Sequence, residues 1–469
     1  MLFNSVSFFV FLFFVLIISA VLRRYSAKSE LWFLVLASAF FYGQWSWKYL
    51  ILIYTTICVD YLLGLRYYKS EHPQKYLTIS LCVNLGILSL FKYFNFLMDS
   101  VNQVIEVSGF DYHFSAIEVL LPVGISFYTF QSMSYMIDIH RQTLKPRKNF
   151  VDYALFVSFF PQLVAGPIVR ASEFFKQLDE KRHFSFKMAQ AGTLLIVVGL
   201  VKKVVFADNL ALFVDPIFNQ PENYSGLMTL LAVYGFAFQI YFDFSGYTDI
   251  AIGVAKLLGF NFPRNFMHPY VSLSIRDFWR RWHMTLSRWL RDYLYISLGG
   301  NRQGTYKTAR NLFLTMFLGG LWHGASWNFA IWGVLHGVYL SIERFNDHYK
   351  LIRLNPDNKL VRLIQWFWVF HLVCFAWIFF RAENFKDSAI ILNNIVFWKS
   401  HVGMTSSAVL YMAFIMFCPL LHWFSSRFDV SKNAGNLGAS KYVCLQVVLL
   451  FLLIFFSTQQ SDSFIYFQF

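Results

Sequence analysis

Apolar residues run along this chain in blocks too long to be faces of soluble helices. Phe8–Leu22, Leu77–Leu90, Leu194–Val201 and Val448–Phe456 are parts of such blocks. A bilayer's hydrocarbon core takes about 20 apolar residues of helix. Basic clusters separate the blocks. Most of the 40 Lys and Arg residues fall in the stretches 23–30, 66–76, 141–149, 170–187, 256–310, 344–362 and 424–441. By the positive-inside rule these stretches are cytoplasmic. The stretches 100–113, 207–224 and 458–469 carry no Lys or Arg and read as outer loops; 381–403 joins them despite its three cations. The pattern predicts ten spans, roughly 4–22, 31–46, 49–65, 77–99, 115–138, 188–206, 227–255, 363–380, 404–423 and 441–457, with both termini outside. Lys48, Lys92, Lys202 and Lys203 fit this topology least, because they fall in or at the ends of spans.

Two apolar stretches break the count. Residues 151–169 and 311–343 each have basic sequence on both sides. The first contains Pro161, Gly166 and Pro167; the second contains Gly319, Gly320 and Gly324. Both read as broken segments that enter and leave from the cytoplasmic side. Irregular backbone at membrane depth must be buried in protein or line a cavity, so both should surround an internal site. The predicted fold class is all-α: a polytopic transmembrane bundle with re-entrant helices, forming a single membrane domain over 1–469.

Composition agrees. Hydrophobic residues make up 57% and charged residues only 14%, against about 25% charged in soluble domains. Met1–Leu22 lacks a basic start, and Arg23 and Arg24 follow its apolar run. It therefore reads as a retained first span rather than a cleaved signal. The net charge of +14 suits loops that touch anionic lipid, and no nucleic-acid partner is expected. The five cysteines are scattered, so neither a metal site nor a disulfide framework is expected.

Ionisable residues inside membrane segments are functional candidates. His323 is the first. On a helix Gly319 and Gly320 share its face, which predicts open space beside an imidazole able to act as a base. His336 lies about 220° further round and need not share the site. The stretch Ile275–Tyr293 is the second candidate. On a continuous helix Arg276, Arg280, His283, Ser287 and Arg291 fall within about 80°. That predicts an interfacial amphipathic helix inside the cytoplasmic segment 256–310, whose basic stripe holds lipid phosphates or an anionic donor against His283. The third is a polar cluster of Asp243, Ser245, Thr248 and Asp249 in a span. An acyltransferase and a transporter or flippase both fit these features. The histidines lack the spacing of a zinc protease.

The longer motifs carry a resemblance. They are LPVGISFYTFQSMSYMIDIHR at 121–141, FPQLVAGPIVR at 160–170, YFDFSGYTDIAIG at 241–253 and NFPRNF at 261–266. The most specific are FWRRWHMTLSRWLRDYLYISLGGNRQG at 278–304 and LWHGASWNFAIWGVLHG at 321–337. In this order they resemble the membrane-bound O-acyltransferases, in the bacterial branch that acetylates exported polysaccharide such as alginate. The resemblance implies helices around a central tunnel, with His323 as the essential histidine and His283 as the second. Arg276, Arg280, Arg291 and Ser287 would then serve the donor, and Asp243, Ser245, Asp249, Trp322 and Asn328 the tunnel. It further implies acetyl-CoA as co-substrate without a bound cofactor or metal, and a bacterial inner-membrane location. The acceptor would be an exported polysaccharide or peptidoglycan, reached with a periplasmic partner of the SGNH esterase-like class. A related branch D-alanylates teichoic acids from a carrier protein; ISLGGNRQG at 296–304 looks like the polysaccharide branch instead.

Overall fold

The structure is a computed structural model. It describes residues 1–469 apart from 111, 118–119, 165, 181, 183, 352–354, 356, 400–405, 428–433, 458–463 and 466–469. The described chain is helical and divides into two compact units, Met1–Gly192 with Ala251–Pro263, and Thr193–Ile250 with Arg264–Phe469.

The first unit contains α1 (Val6–Tyr25), α2 (Ala27–Gly43), α3 (Trp47–Tyr67), α4 (Pro73–Val107), α5 (Ile125–His140), α6 (Phe150–Ser158) and α7 (Ala171–Asp179). Ser5 and Ser26 cap α1 and α2 by accepting from the amides of Phe8 and Ser29, which satisfies donors a helix start leaves open. The expected break in 151–169 is present. After α6 the backbone turns extended at Phe159, and one more turn follows at Phe160–Leu163. The freed amide of Phe160 donates to Ser38 Oγ at 3.2 Å. A buried carboxylate, Glu30, sits in this unit between Arg23 and Arg182, each 2.6 Å away.

The second unit holds the functional candidates. α8 (Phe186–Leu200), part of this unit from Thr193, runs through a π-helical turn, Val201–Ala207, into α9 (Asp208–Asn219). Then come the long α10 (Gly226–Leu257), part of this unit as far as Ile250, the short α11 (Ile275–Arg281) and α12 (Met284–Trp289), and the hairpin of α13 (Thr305–His323) and α14 (Trp327–Tyr349). α15 (Lys359–Arg381), α16 (Phe385–Val396), α17 (Ser406–Arg427) and α18 (Ala439–Phe456) complete it.

Seven helices among the described residues are long and apolar enough to cross a membrane: α1, α3, α4, α10, α15, α17 from Ala408, and α18. The remaining expected spans, 31–46, 115–138 and 188–206, fold as the shorter helices α2, α5 and α8, of 17, 16 and 15 residues. The two lysines that fitted the topology poorly in 188–206 are paired. Lys202 Nζ lies 2.6 Å from Asp249, and Lys203 Nζ lies 2.8 Å from both Asp208 and Asp243. The stretch 458–469, expected as an outer loop, is described only at Phe464 and Ile465. Both are buried rather than exposed: the Phe464 ring lies 4.3 Å from that of Tyr247, and the Ile465 amide donates to Asp243 at 2.7 Å.

The break expected in 311–343 is the turn of the α13–α14 hairpin. Its arms meet backbone to backbone. A Cβ on Gly320 would lie 2.3 Å from the Phe329 carbonyl oxygen, and one on Gly333 would lie 2.5 Å from that of Met316. This overturns the expectation of open space beside His323. Gly320 is filled by the facing helix, and a Cβ on Gly319 would already touch Leu290 at 3.2 Å. Small residues at helix crossings permit close approach where lipid supplies no hydrophobic drive.

Replacing Gly333 by Ala should lower the thermal midpoint in detergent, with overpacking costing about 1–3 kcal/mol. Gly86 is the contrast, since nothing lies within 4 Å of its added Cβ. Gly86→Ala should leave the midpoint unchanged or raise it, because alanine is the better helix former by about 0.8–1 kcal/mol. Equal midpoints for the two variants would contradict the packing account.

Candidate functional site

His323 is the last residue of α13 and is buried. Gly324 is extended, so the chain leaves the helix directly after the imidazole. Aromatic rings enclose it: Trp322 at 5.0 Å, Trp332 at 5.1 Å and Phe380 at 5.3 Å between centroids. Asn328 ties the start of α14 to the end of α15 by donating to the Ala382 carbonyl at 2.9 Å.

His283 is placed differently from the helical-wheel expectation. Ile275–Tyr293 is not one helix: α11 ends at Arg281, Trp282 is extended, and His283 adopts a left-handed conformation with φ +41°. This kink carries the imidazole out of the basic stripe into the interior, where it is fully buried. Left-handed backbone is costly for a residue with a side chain, so the surroundings must hold it. Asn265 does so. Its Oδ1 accepts from the Thr285 amide at 3.2 Å and the Thr285 hydroxyl at 2.9 Å, and lies 3.0 Å from His283 Nδ1. An amide N–H only donates, so the Asn265 atom facing it is oxygen. The proton of His283 is therefore on Nδ1, and Nε2 is its basic nitrogen. Burial pushes the imidazole down to about 3, which keeps it neutral at physiological pH.

Trp322 brings the two histidines together. Its ring centroid lies 6.3 Å from that of His283 and 5.0 Å from that of His323. His336 joins the same row, 4.8 Å from Trp332, and accepts from Trp279 Nε1 at 3.3 Å. The angular argument that set it apart from His323 treated α13 and α14 as one helix; the hairpin folds them together.

Arg276, Arg280, Ser287 and Arg291 do converge. With Arg288 and Arg344 they line a cavity of about 570 Å³. His283 is not among its lining residues. Some of the charge is already matched: Arg276 pairs with Asp347 and Arg291 with Asp292, each at 2.6 Å. The expected cluster of Asp243, Ser245 and Asp249 divides. Asp243 and Ser245 are buried, Asp243 against Lys203, whereas Asp249 pairs with Lys202 and lines a separate cavity of about 260 Å³.

Asn265, Trp279 and Trp332 were not singled out in the sequence. Asn265 sits in a non-helical turn, where asparagine ordinarily serves the backbone. Its signal is the repeated NF in NFPRNF, which carries no periodicity. The tryptophans read as ordinary apolar positions until the hairpin places them between histidines.

The membrane-bound O-acyltransferase family model matches residues 74–383. The chain is 43% identical over 377 residues to "Probable alginate O-acetylase AlgI" of Azotobacter vinelandii, covering 80% of this chain and 72% of that protein. It is 38% identical to the protein of the same name from Pseudomonas putida, covering 93% and 94%. It is 36% identical to "Peptidoglycan O-acetyltransferase" of Helicobacter pylori, covering 94% and 91%. "Teichoic acid D-alanyltransferase" of Bacillus subtilis matches more weakly, 30% over 56% of this chain and 69% of that protein. Its helices, its histidine-bearing hairpin and these matches make the chain a multi-pass membrane O-acyltransferase, and it belongs to the membrane-bound O-acyltransferase family.

Proposed function

We propose that this protein transfers acetyl groups from cytoplasmic acetyl-CoA, through a tunnel, to a hydroxyl presented from the outer side of a bacterial inner membrane. The observation that carries this reading is the juxtaposition of His283, Trp322 and His323 in one buried row. A neutral imidazole at His323 takes the proton of the acceptor hydroxyl. The hydroxyl oxygen attacks the thioester carbonyl, the C–S bond breaks, and the departing thiolate receives that proton. His283, fixed by Asn265 with Nε2 basic, orients or shuttles the proton beside it. The relatives' names support acetyl as the group transferred and an exported polysaccharide or peptidoglycan as the final acceptor. Delivery to that acceptor uses a periplasmic partner of the SGNH esterase-like class. The cavity lined by Arg276, Arg280 and Arg291 suits the donor's phosphates; guanidinium groups match phosphate oxygens two at a time.

His323→Ala should reduce acetyl transfer by about 10²–10⁴, the usual loss with a general base, while membrane insertion and yield stay at wild-type levels. Acetate incorporation into product by the purified variant measures it. Near-normal incorporation would remove His323 from the chemistry.

Arg280→Gln with Arg291→Gln should raise the KM for acetyl-CoA at least tenfold and leave kcat within a few-fold. Steady-state kinetics on reconstituted protein separate the two constants. An unchanged KM would assign these arginines to lipid instead of donor.

Asn265→Ala should leave the His283 and Thr285 donors without their acceptor. A buried unsatisfied group costs about 1–3 kcal/mol, so the thermal midpoint should fall and kcat with it. Asn265→Asp keeps the accepting oxygen and should recover most of kcat. If both variants lose activity equally, holding the tautomer is not the role of Asn265.

A further inference from the structure

A third cavity of the same unit has a composition that the transfer reaction does not use. It measures about 640 Å³ and lies among α10, α11, α15 and α17. Its lining has two chemistries. Arg281, Lys359, Arg362 and Arg427 supply cations, whereas Trp366, Phe370, Leu420 and Trp423 supply an apolar wall. Among the described residues only Arg281 of these is matched by a carboxylate, Asp277 at 2.9 Å. Arg427 lies over the Trp423 ring at 4.9 Å. Lys359 and Arg362 form no ion pair among the described residues.

His422 also lines this cavity and is only 2% exposed. The Tyr270 backbone N–H donates to its Nε2 at 3.2 Å, which ties the ring to the cavity wall. The cavity therefore offers several cations at its rim, which call for a ligand rich in acceptor oxygens.

The surroundings say where the ligand comes from. Lys359 and Arg362 lie at the start of α15 and Arg427 at the end of α17. Both ends fall in basic stretches that the positive-inside rule places at the cytoplasmic surface. The wall continues onto exposed apolar side chains, with Leu420 66% and Trp423 54% accessible. A soluble anion would use the rim and leave this wall bare. Basic pockets between membrane helices are suited to anionic headgroups, with apolar chains following the helices.

We propose that this cavity is a binding site for an anionic glycerophospholipid of the inner leaflet. Its phosphate sits among Lys359, Arg362 and Arg427, and an acyl chain lies along Trp366, Phe370 and Leu420.

Native mass spectrometry of the purified full-length protein, titrated with phosphatidylglycerol or phosphatidylcholine of the same chain length, tests this. The wild type should bind phosphatidylglycerol at least tenfold more tightly than phosphatidylcholine. Arg362→Gln with Arg427→Gln, both at exposed positions, should abolish that preference. Glycerol 3-phosphate and coenzyme A are added as competitors, and neither should displace the lipid at millimolar concentration. The proposal is overturned by equal affinity for the two lipids, by an arginine variant that retains the preference, or by displacement with either soluble phosphate compound. The last result would assign the site to a soluble anion.

Discussion

At Gly320 and Gly333 the arms of the α13–α14 hairpin meet backbone to backbone, and this approach sets the position in which His323 is held. Lipid is as apolar as leucine, so helices in a membrane gain little by hiding apolar surface from it; they associate through close packing and hydrogen bonds. The glycines make that packing possible. With the arms this close, Trp332 of α14 lies against His323 at the end of α13, and Phe380 of α15 packs on both rings. The same glycines that suggested a vacancy for substrate are thus occupied by protein. Space for a substrate has to be sought beyond the aromatic row.

Charge in the interior follows a related constraint. An ion taken out of water needs a partner close by, or it is removed at a cost of several kcal/mol. Lys203 satisfies this with two carboxylates, Asp208 and Asp243, and Asp243 in turn accepts the Ile465 amide. One buried cluster therefore joins the π-helical turn, α9, α10 and the segment at 464–465. Asp243 drew attention in the sequence as an acidic residue inside a span. Its surroundings explain it as a structural ion as readily as a lining residue, whereas Asp249 faces a cavity with Lys202.

The helices were legible because length and apolarity are local properties: a run such as Val6–Tyr25 needs only its own residues to qualify as a span. The two broken segments were also legible, since Pro161 and Gly324 mark breaks whatever packs around them. His323 could be singled out for the same reason, as an imidazole directly before the glycine that breaks an apolar stretch. The environment of His283 could not. The wheel that put it among arginines assumed one helix through Ile275–Tyr293. Asn265, 18 residues earlier, supplies an accepting oxygen at the kink, and Thr285 shares it. That is a tertiary contact, and no periodicity reports it. Nor could the row from His323 to His336 be read, because it exists only once the hairpin closes.

Removing His283 from the basic stripe changes how the cavity and the histidines can be related. Had the stripe been continuous, the arginines and His283 would have formed one site, with the donor's phosphates beside the base. The cavity instead meets the row at its other end. Trp279 belongs to the cavity lining and donates to His336, His336 packs on Trp332, and Trp332 packs on His323. The arginine-lined cavity thus reaches the row through Trp279 at His336, and His283 meets it at Trp322. The two histidines are therefore placed differently: His323 packs between the rings of Trp322, Trp332 and Phe380, whereas His283 is fixed by Asn265 and packs on Trp322.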